Sequence, residues 1–349
     1  MVHHLLFNYL NPMLEPLFIH DSYSCRVGKG TLEGIRRCTH HIRSCSQNWS
    51  RPAYALQLDI QGYFMSINKA RLYEILWHDI RTRANVLHPV MQLPWRECVD
   101  YEFLDFLIRS ILMRDPVKDC LIIGDLSEWD GFPPSKSLRL SRIPGVGLPI
   151  GDLTSQLFSN VYLNPLDQFV KRKLRCRHYG RYVDDAYVID TDPAYLEALV
   201  PSIGHFLLER LGLRLHPAKI RITPVDHGIR FLGAVIKPYR TYVSNRTVRS
   251  FHSKMFKWEQ RCLRRPLNGK EVDTLVQIVN SYTGYFSHFK CFRILQAQFA
   301  CSPLRRYILF SGGFRKAELR ICYRIIIPFT KDPLLFGEWK YNKSLTIPQ

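Results

Sequence analysis

The chain has 349 residues, 46% of them hydrophobic, and its 49 lysines and arginines outnumber 30 aspartates and glutamates to give a formal net charge of +19. That length allows about two domains of roughly 150 residues, or one divided into subdomains, around a sizeable core. The charge favours a polyanionic partner, nucleic acid before an anionic membrane surface, and no apolar run reaches the length of a spanning helix.

The start, Met1-Val2-His3-His4-Leu5-Leu6-Phe7, has no basic stretch ahead of its apolar residues and makes a poor signal peptide. Residues 1–50 read as basic and polar, with a helix near 30–45. Cys38, His40, His41 and Cys45 are the only cluster with a hint of metal-ligand spacing, and no second pair follows at zinc-finger distance. The ten dispersed cysteines therefore read as reduced thiols in a cytoplasm. A strand at 54–60 alternates, with Leu56, Leu58 and Ile60 on one face and Gln57 and Asp59 on the other. Helices are predicted over 69–83 and 101–113, and 124–147, rich in Pro, Gly and Ser, reads as a loop or irregular hairpin. Residues 152–174 suggest a long amphipathic helix that Pro165 kinks. A hairpin at 179–190, a helix over 196–211 and short strands near 220–223 and 231–236 follow. The turn-like stretch 238–245 is the expected boundary, after which the chain reads as mostly helical.

Arg181-Tyr182-Val183-Asp184-Asp185-Ala186-Tyr187-Val188-Ile189 sets two adjacent carboxylates between strand-like flanks. Such a pair repels itself unless a cation neutralises it, and oxygen-rich sites suit hard divalent ions such as Mg²⁺. The alternative is a plain Asp-Asp turn, since aspartate favours turns. Asp59, at the end of its strand, is a third carboxylate. A strand ending in aspartate beside a hairpin carrying two more can hold a pair of metal ions about 3.5–4 Å apart for in-line phosphoryl transfer.

These segments resemble the reverse transcriptases over roughly residues 25–290. Leu56-Gln57-Leu58-Asp59-Ile60-Gln61-Gly62-Tyr63-Phe64 resembles their first catalytic motif, and Tyr182-Val183-Asp184-Asp185 their Tyr-x-Asp-Asp box. The resemblance implies an α+β right-hand polymerase fold: fingers and palm interleaved over 1–245, the palm an antiparallel sheet packed on helices, and a basic helical thumb and C-terminal region over 246–349. It makes Asp59 and Asp184 the main metal ligands, with Asp185 supporting and the Ile60 carbonyl adjoining. The ions would be two Mg²⁺, with Mn²⁺ able to substitute. Phe64 resembles the gate against a ribose 2′-hydroxyl, or else is an ordinary core phenylalanine; Gly62 and Tyr63 adjoin it at the nucleotide. Lys219, in Leu213-Arg214-Leu215-His216-Pro217-Ala218-Lys219, resembles the lysine that protonates pyrophosphate. Phe231-Leu232-Gly233 resembles the hairpin that grips the primer end, where Tyr182 and Val183 also contact primer or template.

Gly147-Leu148-Pro149-Ile150-Gly151-Asp152-Leu153-Thr154-Ser155-Gln156 narrows the resemblance. Most reverse transcriptases carry Gln-Gly and Ser-Pro where this chain has Ile150-Gly151 and Ser155-Gln156. That substitution resembles the enzymes of diversity-generating retroelements, as do Tyr63-Phe64-Met65-Ser66-Ile67, Lys136-Ser137-Leu138, Asn160-Val161-Tyr162-Leu163-Asn164-Pro165-Leu166-Asp167 and, with Lys29, the finger motif Cys25-Arg26-Val27-Gly28-Lys29-Gly30-Thr31. The likeness implies copying of a template-repeat RNA into cDNA with errors at adenines, from dNTPs, alongside a small basic accessory variability determinant protein. It places Lys29, Ile150, Gly151 and Gln156 at the nucleotide, while Asp152 or Thr154 reads equally as a helix cap. Arg246, Arg249, Lys254, Lys257, Arg261, Arg264 and Arg265 form a basic run with Phe251, Phe256 and Trp258 interleaved and only Glu259 opposing, a surface for primer and template or else a solvated helix face. The alternatives are another bacterial reverse transcriptase (retron, group II intron or antiphage type) or a nonpolymerising RNA-binding scaffold. The segment at 160–164 lacks the retron Asn-Ala-x-x-His pattern, and three intact aspartates argue against a scaffold.

Overall fold

Leu6, Leu10, Met13 and Leu14 recur at helical spacing and bury one face of helix α1 (Val2–Leu14). In this computed structural model, residues 1–319 are described apart from positions 119, 134, 135, 142, 290, 313 and 315. Residues 320–349 of the expected thumb region, and Lys290 at the end of the family resemblance, lie outside the described residues. The chain divides into two units, Met1–Ser244 and a second beginning at Asn245. Helix α1 corrects the polar reading of residues 1–50. Its histidines and Pro12 interrupt the local pattern, yet each buried leucine is worth roughly 1.5–3 kcal/mol relative to exposure.

The next elements are α2 (Thr31–Cys45), β1 (Tyr54–Leu58), α3 (Lys69–Arg83) and α4 (Tyr101–Leu112). Asn68 and Asp100 cap α3 and α4 by accepting backbone N–H bonds. The 124–147 stretch holds two short helical turns, Leu126–Trp129 and Leu138–Ser141, and no hairpin strands among its described residues.

Helix α5 (Leu153–Gln168) departs from the amphipathic expectation. Leu157, Phe158, Val161, Tyr162, Leu163 and Leu166 are buried, and so are Ser155, Asn160, Asn164 and Asp167. A helix buried all round lies inside a core rather than on it; here α1 and α3 pack against it. It runs through Pro165 and ends in a π-helical turn, Phe169–Lys173.

Strands β2 (His178–Tyr182) and β3 (Asp185–Asp190) form the expected hairpin, followed by α6 (Pro193–Phe206) and β4 (Arg221–Pro224). They assemble with β1 into an antiparallel sheet of order β2-β3-β1-β4. Register pairs Leu56 with Val188 and Leu58 with Ala186, and these face the main core with Leu196, Leu199 and Ile203 of α6. Gln57 lies opposite Tyr187 on the other face, against which α2 packs. Gly180 on β2 is obligatory: a Cβ there would stand 2.6 Å from both the Tyr23 and Tyr187 hydroxyls.

The strand expected near 231–236 is two strands, joined at the hairpin that the Phe231-Leu232-Gly233 motif implies. β5 (Ile229–Phe231) and β6 (Ala234–Lys237) are joined by Leu232 and Gly233, whose φ values of 49° and 81° meet the demand of a two-residue turn. The 238–245 stretch turns only at Pro238-Tyr239 and then forms β7 (Arg240–Val243), completing a second antiparallel sheet.

The second unit contains α7 (Asn245–Arg264), α8 (Gly269–Ser287) and α9 (Phe292–Phe299) around Phe251, Met255, Val279, Phe286 and Phe299. A capping box between Asn268 and Glu271 starts α8. The hairpin β8 (Ile308–Ser311) and β9 (Lys316–Leu319) adds a strand pair to a stretch expected to be mostly helical.

Because Leu10 is fully buried and Leu5 is 40% exposed, Leu10→Ala should destabilise the fold by about 2–5 kcal/mol and Leu5→Ala by less than about 0.5 kcal/mol. Urea denaturation of the two variants checks that α1 is integral to the core.

Candidate active site

The β2–β3 register pairs Tyr182 with Asp185 and leaves Val183 and Asp184 as a two-residue turn. Such a turn needs a positive φ at its first central position. Valine occupies it at φ 55°, a region that β-branched residues avoid. Conformations of this kind cost roughly 1–3 kcal/mol and persist only where surroundings hold them. Here Nη1 of Arg181 donates to the Val183 carbonyl at 2.8 Å, and the Val183 N–H donates to Ser24 Oγ at 3.3 Å. Arg181 is itself buried; its Nε and Nη2 donate to Asp167 of α5 at 2.8 and 2.6 Å, and Tyr179 donates to the same carboxylate. Burial alone would lower the Arg181 pKa, but Asp167 outweighs it and holds the guanidinium firmly charged.

Asp59 follows β1 on the face opposite Leu58. Continuing the β1–β3 register from Leu58 and Ala186 brings Asp59 level with Asp185. On its other side the His216 N–H donates to the Asp59 carbonyl and the Gln61 N–H to Arg214, stitching the strand end to the segment that leads to Lys219. Lys219 Nζ then donates to both Asp59 carboxylate oxygens, at 2.9 and 2.8 Å. The lysine side chain is half exposed, so the pair adds at most about 1 kcal/mol of stability.

Burial raises the pKa of Asp184, with Asp59 adding to the rise while its own backbone N–H, Lys219 and Arg181 oppose it. Asp185 is pushed up to about 7, by burial first and then by the charges of Asp184 and Asp59. Both hairpin carboxylates thus sense Asp59. Among the described residues, however, no three His, Cys, Asp or Glu side chains form a ready metal cage. The sequence reading expects Asp59 to share ions with the hairpin pair; in the structure its carboxylate engages Lys219 instead. The donor set still fits a hard divalent cation, because all donors are oxygen and the burial that penalises their charge favours a neutralising ion.

The profile of the family described as reverse transcriptase (RNA-dependent DNA polymerase) matches residues 2–236, two-thirds of the chain. The chain belongs to the reverse transcriptase family. Its fold is the α+β right-hand polymerase fold. Similar solved structures include apo telomerase from Candida tropicalis, at 15% identity over 86% of this chain and 50% of that one, with a TM-score of 0.49. Telomerase from Candida tropicalis in complex with the TWJ fragment of telomeric RNA is 12% identical over 85% of this chain and 47% of that one, at TM-score 0.48. Telomerase from Candida albicans in complex with the TWJ fragment is 12% identical over 84% and 49%, at TM-score 0.41. The chain spans about half the length of these proteins. A search of curated proteins gave no match.

Around these carboxylates, Gly62 takes φ 55° and opens the helical turn Tyr63–Ser66. Tyr63 turns its ring into the core and donates to the Ser159 carbonyl, so its side chain serves packing rather than nucleotide contact. Phe64 is half-buried with its ring edge-on to Tyr63. The Gly147 and Leu148 N–H groups donate to the Ile67 and Phe64 carbonyls, which draws the 147–151 segment alongside Phe64. Ile150 is 71% exposed, and open space surrounds the Gly151 Cα at φ 115°. Gln156 lies partly exposed on the first turns of α5. Asp152 stands at the N-cap of that helix without a side-chain cap bond, and Thr154 lies 2.7 Å from His3 Nδ1. Ile60 is buried and pairs with Leu215. Lys29 is partly buried in the 25–31 finger motif, and burial, then Arg26, lowers its pKa.

Tyr182 remains partly exposed, whereas Phe231 is buried edge-on against Tyr187, a packing rather than a primer-contact position for its side chain. Leu232 packs on α2, where a Cβ at Gly34 would lie 2.8 Å from it, and Gly233 is exposed. Cys38 and His41 belong to a buried network rather than a zinc site: His41 lies 3.0 Å from the Tyr187 hydroxyl and 3.4 Å from Asp21, which also receives Arg37. Described cysteines are all free thiols. No described helix is long and apolar enough to cross a membrane.

In the second unit Arg249, Lys254, Lys257 and Arg261 are exposed on α7. Lys254 lies over the Tyr282 ring and Arg261 over Trp258. Glu259 turns to Ser302 and Gln298, so the opposing charge comes instead from Glu271 of α8, which pairs with Arg261 and Arg265. Phe251 is core, while Phe256, Lys257, Trp258, Arg261, Arg264 and Arg265 line an open groove of about 750 Å³.

The folded Asp185 carboxyl binds its proton up to about pH 7, whereas its ordinary value is 3.8. Folded protein therefore holds more protons between those limits, and this group subtracts stability as pH rises through them. Asp185→Asn should leave stability nearly unchanged near pH 4 and raise the metal-free melting temperature by a few degrees above pH 7. Calorimetric melts across pH check it; an Asn variant without a pH-dependent advantage contradicts the assignment.

Proposed function

We propose that the chain is an RNA-directed DNA polymerase whose reaction centre is Asp59, Asp184 and Asp185. The observation that carries this is the meeting of a strand end and a half-buried hairpin tip, where Asp184 and Asp59 both press on Asp185 and Lys219 sits on Asp59. In the reaction the primer 3′-hydroxyl loses its proton and attacks the α-phosphorus of a dNTP. A phosphodiester forms as pyrophosphate leaves. Asp59, Asp184, Asp185 and the Ile60 carbonyl would hold two Mg²⁺, or Mn²⁺ in their place, supplying charge stabilisation to the attacking and leaving oxygens. Lys219 supplies a positive charge and a proton for the departing pyrophosphate. Residues 1–245 act as fingers and palm and 246–349 as thumb; the change of unit at Asn245 supports that division. The exposed α7 cations bind primer and template through phosphates, and this affinity falls steeply with salt.

The finer reading is a diversity-generating retroelement enzyme that copies a template-repeat RNA with errors at adenines, assisted by a basic accessory protein. Ile150 supports it. An aliphatic side chain exposed beside Gly151 contributes little packing, and it offers the incoming nucleotide no hydrogen bond where most relatives carry glutamine. The accessory partner comes from the sequence resemblance alone.

Primer extension on adenine-rich RNA with Mg²⁺ and dNTPs tests both levels. Wild type should extend and Asp184→Ala should lose at least about a thousandfold of the rate. The wild-type cDNA should carry substitutions concentrated opposite adenine, and Ile150→Gln should reduce them. Extension by Asp184→Ala at the wild-type rate would remove the reaction centre, whereas faithful wild-type cDNA would remove only the retroelement reading.

A further inference from the structure

The valine at the hairpin tip is held by polar groups from three separate parts of the chain. Arg181 spends Nε and Nη2 on Asp167, which leaves Nη1 aimed at the Val183 carbonyl. The Asn160 side chain and Ser24 bond reciprocally. Asn160 Nδ2 donates to the Ser24 carbonyl at 2.9 Å, and the Ser24 hydroxyl donates to Asn160 Oδ1 at 3.2 Å. Because a hydroxyl has one proton, that bond leaves the Ser24 oxygen as an acceptor, which the Val183 N–H meets. The outer edge of β2 keeps Ser24 in place. The Arg181 N–H donates to the Asp21 carbonyl and the Tyr23 N–H to the Arg181 carbonyl, each at 2.9 Å. Ser24, Asn160, Asp167 and Arg181 are all buried.

We propose that Ser24–Asn160 and Arg181–Asp167 are two jaws of a clamp whose task is to hold Val183 in the left-handed region and thereby aim Asp184 and Asp185. These four are positioning residues, and their consequence for catalysis rests on the polymerase reading above. The carbonyl and the N–H of one residue are each held by a separate side chain, which fixes the peptide planes before and after Val183. Buried stabilising bonds alone need not converge on a strained residue between two strands. Released from either jaw, the valine relaxes toward negative φ, and the peptide plane that leads to Asp184 rotates with it.

Ser24 offers the cleanest test, since its removal takes away one hydrogen bond and leaves the buried ion pair intact. The full chain, free of nucleic acid, is titrated with Mn²⁺ and followed by electron paramagnetic resonance. Hydrogen exchange over 182–186 and thermal melting are recorded in parallel. Ser24→Ala should weaken Mn²⁺ binding about fivefold, the scale of one lost hydrogen bond. It should speed exchange over 182–186 while Ser24→Thr, which keeps the hydroxyl, restores both. Glycine adopts positive φ freely, so Val183→Gly in the Ser24→Ala background should recover most of the lost Mn²⁺ affinity.

Unchanged exchange in Ser24→Ala, or faster exchange that Ser24→Thr fails to reverse, overturns the clamp. So does a Val183→Gly addition that deepens the loss of Mn²⁺ affinity. If wild type binds no Mn²⁺ or extends no primer, the polymerase reading falls, and the exchange comparison still decides the clamp.

Discussion

Like charges gathered at the end of a buried sheet set the terms for the rest of this molecule. Burial raises the cost of ionising Asp184 and Asp185, and the neighbouring carboxylates raise it further. Left free, such a group would disperse into solvent or protonate. The fold prevents dispersal through the two-residue turn, which leaves Asp184 and Asp185 no slack, and through the stitching of Asp59 to the 214–216 segment. Lys219 offsets part of the charge while it sits on Asp59.

The supporting polar groups follow from the same constraint. A charged guanidinium deep in a core is costly unless fully paired, and Arg181 is paired with Asp167 and tied to the turn. Two residues beyond the carboxylates, Tyr187 meets Tyr23 at 2.9 Å and His41 at 3.0 Å, and Asp21 joins Tyr23, Arg37 and His41. Burial alone would raise the Asp21 pKa, yet hydrogen bonds from His41 and Arg37 hold it well below the usual carboxylate range. Gly180 makes room for the tyrosine pair. The hairpin is thus buttressed by α2 on one face and by α5 on the other.

How much of this was legible in the sequence depends on how local the signal is. The alternation around Leu56 and Leu58, the strand–Asp-Asp–strand pattern and the helical stretches at 69–83 and 101–113 are local signals, and the elements formed where they point. Alternation alone reads 231–236 as one strand, because a two-residue turn between short apolar strands leaves little mark on the pattern; the hairpin there was legible only through the Phe231-Leu232-Gly233 motif. Helix α1 was obscured by its histidines and Pro12. The residues around Val183 escaped for a different reason: Ser24, Asn160 and Asp167 reach the turn from distant parts of the chain, and no spacing reports it. Arg181 carried the one local hint, an arginine at a strand position flanked by tyrosines. Lys219 was found as a motif residue, but its pairing with Asp59 depends on how β1 is joined to the 214–216 segment.

The central claim is that the hairpin tip and the end of β1 together form a divalent-cation reaction centre. Replacing Mg²⁺ by Fe²⁺, with ascorbate and peroxide, generates hydroxyl radicals at the bound ion and cuts the nearby backbone. Cleavage is expected beside Asp59 and beside Asp184-Asp185, suppressed by excess Mg²⁺. Cuts confined to other parts of the chain, or none that Mg²⁺ suppresses, would contradict it.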